Sequence, residues 1–186
     1  MYKIAVLVGS LRRESINLKL AKALAKLAKG KLESNFLSLD LPLYNEDLWE
    51  NPPAAVLKLK KEIEASDAVL FVTPEYNRST TPIIKNAIDW GTRPWGKNSW
   101  SGKPAAIAGI TPGAVGTAIA QTHLRSILPT LHLHLMAQPE MYIVDKPGLI
   151  DAEGTVSDDT TRKFFESFLA KFEAWIAKTA DKKERS

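Results

Sequence analysis

Two periods of apolar residues run along this chain. Residues 3–8 (KIAVLV), 68–72 (AVLFV) and 105–110 (AAIAGI) are almost unbroken apolar runs. Such runs mark strands covered on both faces. A secretory leader needs a longer apolar stretch and a small-residue cleavage site, so we read residues 2–9 as a core strand. Residues 32–39 (LESNFLSL) and 141–144 (MYIV) read as a weaker second strand and a short fifth one. Between the strands the spacing turns helical, over Asn17–Lys29, Ala54–Ala65, Thr81–Trp90, Val115–Leu128 and Asp158–Lys178. Val56, Leu59 and Ile63 form one helical stripe, and Phe164, Phe165, Phe168, Leu169, Phe172 and Ile176 another. Residues 41–53 and 91–103 read as loops.

Strands alternating with helices predict a parallel sheet with helices on both faces. Right-handed crossovers leave few topologies. The flavodoxin-like doubly wound five-stranded sheet, order 2-1-3-4-5, fits the length as a single domain over residues 1–180. Residues 181–186 (DKKERS) have nothing to bury and are expected to fray. In such a sheet the ligand sits beyond the C-terminal strand ends. The segments to inspect are therefore those after residues 8, 72 and 110.

Composition narrows the chemistry. Of 186 residues, 45% are hydrophobic and 25% charged, a globular balance that excludes disordered, collagen-like and coiled-coil chains. No run approaches the ~20 apolar residues of a membrane span. Cysteine is absent, which excludes disulfides, thiolate metal sites and a cysteine nucleophile. Redox chemistry, if present, needs a bound cofactor, and the cytoplasm is the expected compartment. The net charge of +4 is mild, and its densest cluster, Lys19, Lys22, Lys26 and Lys29, reads as the solvated face of a helix. Neither a nucleic-acid nor a membrane partner is expected.

After the first strand comes Gly9-Ser10-Leu11-Arg12-Arg13-Glu14-Ser15-Ile16-Asn17. Gly9 permits a tight turn, Ser10, Ser15 and Asn17 are short and polar, and Arg12 is cationic. The helix that follows adds unpaired N–H groups and the positive end of its dipole. A phosphomonoester suits this loop. On these residues alone, a second reading stands: Ser15 or Asn17 merely caps the helix and the arginines are solvated. Neither the P-loop nor the dinucleotide glycine pattern is present. The third strand leads into Thr73-Pro74-Glu75-Tyr76-Asn77-Arg78, whose backbone can present N–H and C=O groups to a flat heterocycle. Ser79, Thr80 or Thr81 with Pro82 reads as the cap of the next helix. Thr111-Pro112-Gly113-Ala114-Val115-Gly116 is a glycine loop, an ordinary turn when taken alone.

The stretches Gly9-Ser10-Leu11-Arg12…Ser15…Asn17 and Thr73-Pro74-Glu75-Tyr76-Asn77…Pro82…Lys85-Asn86-Ala87-Ile88-Asp89-Trp90 resemble the NADPH-dependent FMN reductase family, in its bacterial chromate and quinone reductase branch. Gly102-Lys103-Pro104 and His123-Leu124-Arg125 also match, and the resemblance spans about residues 3–144. It implies bound FMN, with NADPH or NADH as co-substrate. It also implies ping-pong hydride transfer to quinones, nitro or azo compounds, free flavin or chromate. It implies that Ser10, Arg12, Ser15 and Asn17 hold the FMN phosphate, that Pro74, Glu75, Tyr76 and Asn77 line the ring, and that Thr111 contacts the flavin, with Gly9, Leu11 and Gly113 as further cofactor-binding candidates. Relatives are often tetramers or dimers. Arg78, Ile119 and Thr122 depart from the pattern of tetrameric relatives.

Arg78 and Arg93 are candidate contacts for anionic substrates, and no residue is assigned as catalytic. Trp90, Trp95 and Trp100 are candidates for an aromatic rim, core packing being at least equal for Trp90. His123 is expected to be packed, and the H-x-H pair His132 and His134 lacks further ligands for a metal. Two other function classes share these features: a flavodoxin-type electron carrier without NAD(P)H activity, and a phosphate-ligand hydrolase. The carrier is usually strongly acidic, unlike this chain. The hydrolase needs an acid/base pair, for which only Glu14 and Glu75 are near.

Overall fold

The structure, a computed structural model, describes residues 1–183. Strands β1 (Tyr2–Val8), β2 (Leu32–Phe36), β3 (Ala68–Val72) and β4 (Pro104–Thr111) pair in parallel in the order β2-β1-β3-β4. β3 and all of β4 but its last residue are buried, which is why both read as unbroken apolar runs. Helices α1 (Ile16–Leu27), α2 (Ala54–Glu64), α3 (Pro82–Thr92) and α4 (Ala118–Ile127) lie in the connections between strands, and α5 (Asp159–Lys183) follows the last strand. Leu20 and Leu24 of α1 pack with Phe165, Phe168 and Phe172 of α5 on one face of the sheet. Val56, Leu59 and Ile63 of α2, Ile84 and Ile88 of α3 and Leu124 of α4 cover the other.

The fifth sheet position differs from expectation. It is filled by two short strands, β5 (His134–Leu135) and β6 (Met141–Val144), rather than by residues 141–144 alone. β5 pairs with the start of β4 and β6 with its end. Gln138-Pro139 lies between them, and a proline cannot donate to a ladder. The second strand is also shorter than residues 32–39. Leu37 N–H still donates to Val6 O at 3.0 Å, beyond the last paired residue, and the Leu37 and Leu39 side chains are buried with those of α2 and α3. Residues 46–50, inside the expected loop, form a 3-10 turn capped by Asn45. The closing helix continues to Lys183, and the remainder of the expected tail, residues 184–186, lies outside the described residues. Among the described residues no helix is long and apolar enough to cross a membrane.

Candidate active site

The loops after β1, β3 and β4 converge at the C-terminal edge of the sheet on a crevice of about 230 Å³. Strand ends are locked there by Gly9 N–H to Val72 O (2.8 Å) and Thr73 N–H to Ala108 O (2.9 Å). Of the expected residues, Ser10, Arg12, Ser15 and Asn17 line it from the first loop, Pro74, Glu75 and Tyr76 from the third, and Thr111 from the fourth.

In the first loop, Gly9 is demanded by packing. A Cβ there would meet Ile84 Cδ1 at 2.6 Å, Thr81 Oγ1 at 2.9 Å and Pro74 Cδ at 3.0 Å. Glycine lets α3 and the third loop press against the first. Ser15 is the N-cap of α1, its Oγ accepting from Leu18 N–H at 3.2 Å. Ser10 Oγ accepts from Arg12 N–H at 3.3 Å. Each hydroxyl keeps its own proton to donate. Among the described residues, the side chain of Arg12 has no partner, and the amides of Leu11, Arg13 and Glu14 have no acceptor. The first turn of α1 contains no acidic residue. Hydroxyl protons, open amides, a guanidinium and a helix N-terminus together suit an acceptor-rich phosphate. Ser15 therefore caps the helix, as one reading of the sequence has it, and still keeps a proton to donate.

Asn17 has another task. It is 1% exposed, with Nδ2 donating to Ile110 O at 2.9 Å and Oδ1 accepting from Ile110 N–H at 3.1 Å. Its amide is spent fastening α1 to β4. Leu11 points to solvent, and Gly9 lies beneath the loop rather than on its surface.

The third loop is a two-residue hairpin. Tyr76 and Ser79 exchange both backbone hydrogen bonds at 3.0 Å, around Asn77 (φ 49°) and Arg78 (φ 63°). Two successive positive φ angles are the signature of a type I′ turn. Asn77 and Arg78 form its apex, outside the crevice lining. The Glu75 side chain is 7% exposed. Its Oε2 accepts from the N–H groups of Ile119 (3.1 Å) and Ala120 (3.2 Å), and its Oε1 accepts from Arg78 Nη1 at 3.4 Å. Glu75 is thus committed to α4, which removes the Glu14–Glu75 acid/base pair that a hydrolase would need.

In the fourth loop, Thr111 Oγ1 accepts from Gly113 N–H at 3.3 Å. A Cβ on Gly113 would meet only ordinary contacts, so its glycine is not required by space. The demanding glycines are neighbours. Gly109 faces Thr117 and the Thr73 carbonyl, and Gly116 has φ 57° with the Tyr142 carbonyl carbon 2.8 Å from its absent Cβ. Glu14, Ile16, Ile110 and Pro112 also line the crevice and were missed. All four are sequence neighbours of expected residues, and the loop position was the signal for them.

The segment 91–103 does not join the crevice. Helix α3 starts beside it and carries the chain away by 11 residues, about 16 Å of axis, before Arg93 caps the far end. Within one chain, Arg93 therefore does not border the site. Lys60 Nζ holds this segment by donating to Gly91 O (3.2 Å), Lys97 O (2.7 Å) and Ser99 Oγ (2.7 Å), and burial lowers its pKa. Trp90 and Trp100 are fully buried, so neither is part of an exposed rim, whereas Trp95 is 88% exposed with Arg93 stacked over it. His123 is exposed rather than packed, its Nδ1 lying 3.0 Å from Ser79 Oγ.

The family described as NADPH-dependent FMN reductase matches residues 2–147. The chain is 49% identical over 175 residues to a 2-hydroxy-1,4-benzoquinone reductase of Burkholderia sp, covering 94% of this chain and 96% of that one. It is 47% identical over 178 residues to a quinone reductase of Pseudomonas putida, covering 95% of each. The structure of FerB, a flavoenzyme NAD(P)H:(acceptor) oxidoreductase from Paracoccus denitrificans, superposes with a TM-score of 0.94. That match has 51% identity and covers 96% of this chain and 99% of that one.

Proposed function

Because this chain belongs to the NADPH-dependent FMN reductase family, we propose that it reduces quinones with electrons from NADPH or NADH, using FMN held in the crevice described above. The observation that carries the placement is the first loop. Its hydroxyl protons, open amides and Arg12 form an unpaired donor set on a neutral-capped helix N-terminus. Ser10, Arg12, Ser15 and the amides of Leu11, Arg13 and Glu14 hold the phosphate. Gly9 gives the loop its depth and Asn17 holds its helix in place. Pro74, Glu75 and Tyr76 would line one wall for the ring and Thr111 the opposite one, while Asn77 and Gly113 stand next to them outside the lining. FMN bound there would supply two-electron redox chemistry between NAD(P)H and the acceptor. The chain's own part would be to orient the two reactants and to admit them in turn to one open side of the crevice.

Arg78 is the anionic-substrate contact of this reading. It holds a left-handed conformation that favours glycine, beside the half-exposed Tyr76. Backbone strain of this kind is retained where a side chain has work to do. Arg93 serves the same role only if a second copy brings it across. The reading therefore includes a homo-oligomer, dimer or tetramer, in which Arg93 and exposed Trp95 approach a partner's crevice. Hydroxyquinones and other flat acceptors, and more broadly azo and nitro compounds, free flavin and chromate, fit an open ring face. The protein acts in the cytoplasm.

The test is steady-state kinetics with NADPH and NADH against benzoquinone, FMN and chromate, on protein whose released cofactor has been identified by mass. Parallel double-reciprocal lines with quinone are expected, and intersecting lines overturn the shared-face scheme. FAD in place of FMN, or no oxidation of NAD(P)H with any acceptor, overturns the function itself. Sedimentation showing only a 20.5 kDa species at micromolar concentration overturns the oligomer.

A further inference from the structure

We propose that Glu75 is a positioning residue, whose buried carboxylate caps α4 and so fixes the gap between the third and fourth loops into which the flavin ring slides. The inference rests on the FMN reading above. Its core is a helix capped from outside. The residue at the N-cap of α4, Thr117, cannot do the work, because it is left-handed (φ 69°) and makes no cap bond. Its Oγ1 instead accepts from Gln121 Nε2 at 3.0 Å. The first-turn amides of Ile119 and Ala120 are served by Glu75, 44 and 45 residues upstream.

This arrangement is forced on the fold by Gly109. A side chain there would strike both Thr117 and the Thr73 carbonyl, so the exit of β3 and the entrance of α4 rest on one bare position of β4. The Glu75 carboxylate adds a direct tie between those two segments. A second tie, Ser79 Oγ to His123 Nδ1 at 3.0 Å, holds the outer end of the hairpin to the same helix. The hairpin's inner residues, Pro74 to Tyr76, line the crevice. Moving α4 therefore moves one wall of the slot. A buried carboxylate persists only where its oxygens are satisfied, and two charge-assisted bonds to amides satisfy one of them. Reach is the critical property. Aspartate, shorter by one methylene or about 1.5 Å, cannot span the gap, whereas glutamine keeps an acceptor oxygen at the same distance.

The experiment compares Glu75→Gln, Glu75→Asp and Glu75→Ala in the full chain. Amide exchange at Ile119 and Ala120 is followed in the flavin-free protein, and riboflavin and FMN are titrated by fluorescence quenching. For Asp and Ala, exchange at both amides is expected to rise tenfold or more. Riboflavin and FMN are expected to weaken by the same factor, about tenfold. For Gln, both readouts are expected to stay within about threefold of the parent. Equal loss of the two ligands identifies the ring slot, since riboflavin lacks the phosphate. Unchanged exchange, or faster exchange with unchanged flavin affinity well below the melting temperature, overturns the inference. So does a result in which Asp is tolerated and Gln is not, because charge and not reach would then be the requirement. If the Ala variant does not fold, the Asp and Gln pair decides. Failure of the parent chain to bind either flavin overturns the FMN reading instead.

Discussion

Two helices begin at the same edge of the sheet and are finished in opposite ways. Helix α1 is capped by Ser15, a neutral hydroxyl, and has no acid in its first turn. Helix α4 is capped by the carboxylate of Glu75, delivered from another loop. Both start with orphan amides and a partial positive charge. At α4 that charge is answered inside the protein, leaving the helix a structural wall. At α1 it is left standing, with the side chain of Arg12 without a partner beside it among the described residues, and this is the end we propose for the phosphate. The charge of the cap thus separates the helix end proposed to bind from the one that builds.

The largest effect is expected where the α4 side is most crowded. Gly109→Ala places a methyl group 2.5 Å from the Thr73 carbonyl and closer still to Thr117. Backbone must move, and a loss of about 3 kcal/mol is expected from overpacking of this kind. Thermal or denaturant unfolding measures it. A variant as stable as the parent shows that β3 and α4 are not tightly seated on β4, and the contrast between the two helix ends then weakens.

Ser15→Asp makes α1 resemble α4. Aspartate caps as well as serine and interacts better with the dipole, so stability is expected to hold or rise slightly. A bound phosphate would meet a like charge. At about 5 Å and an effective dielectric of 20 that is roughly 3 kcal/mol, near two decades in affinity. FMN titration should show that loss while riboflavin binding is kept. Equal weakening of both ligands would mean that the loop had been deformed, and unchanged FMN binding would remove the phosphate from α1. Arg12→Ala tests the same end more gently. One charge-assisted contact is worth about 1.5–3 kcal/mol, or one to two decades for FMN and nothing for riboflavin.

How much of this contrast can be read in the sequence follows from the range of the contacts. Strands β1, β3 and β4 announce themselves because burial on both faces leaves almost no polar position in their centres. The loops after them are then placed by topology, and most of the crevice follows. The partners of the polar side chains do not. Asn17 spends itself on Ile110, 93 residues away, and Glu75 on Ile119, 44 away, and no local spacing encodes either bond. β5 is hidden because two residues carry no period. Arg93 shares its loop with Trp95 and Trp100, which the sequence offers as an aromatic rim, yet helix α3 carries that loop away from the crevice. Trp100 lies in a polar loop but fills the space left by Gly91, where a Cβ would strike its ring.

The smallest effect concerns the hairpin that joins the two ends. In a type I′ turn the second central position favours glycine, and here it is Arg78 at φ 63°. Arg78→Gly removes a left-handed non-glycine residue, worth about 1–2 kcal/mol. Part of that gain is cancelled by the greater chain entropy of glycine, about 0.5–1 kcal/mol. The 3.4 Å contact to Glu75 is lost too, but Arg78 is 68% exposed there, and solvent leaves such a pair little value. The expected net change is a stabilisation between zero and about 1 kcal/mol. Function should move the other way. If the arginine meets acceptors, KM for an anionic hydroxyquinone rises several-fold in the variant, while KM for neutral benzoquinone and kcat for both stay as they were. A uniform change across the two quinones would place the effect in the hairpin's shape. No change in either, with the stability gain present, would make Arg78 a strained turn residue with no part in acceptor choice.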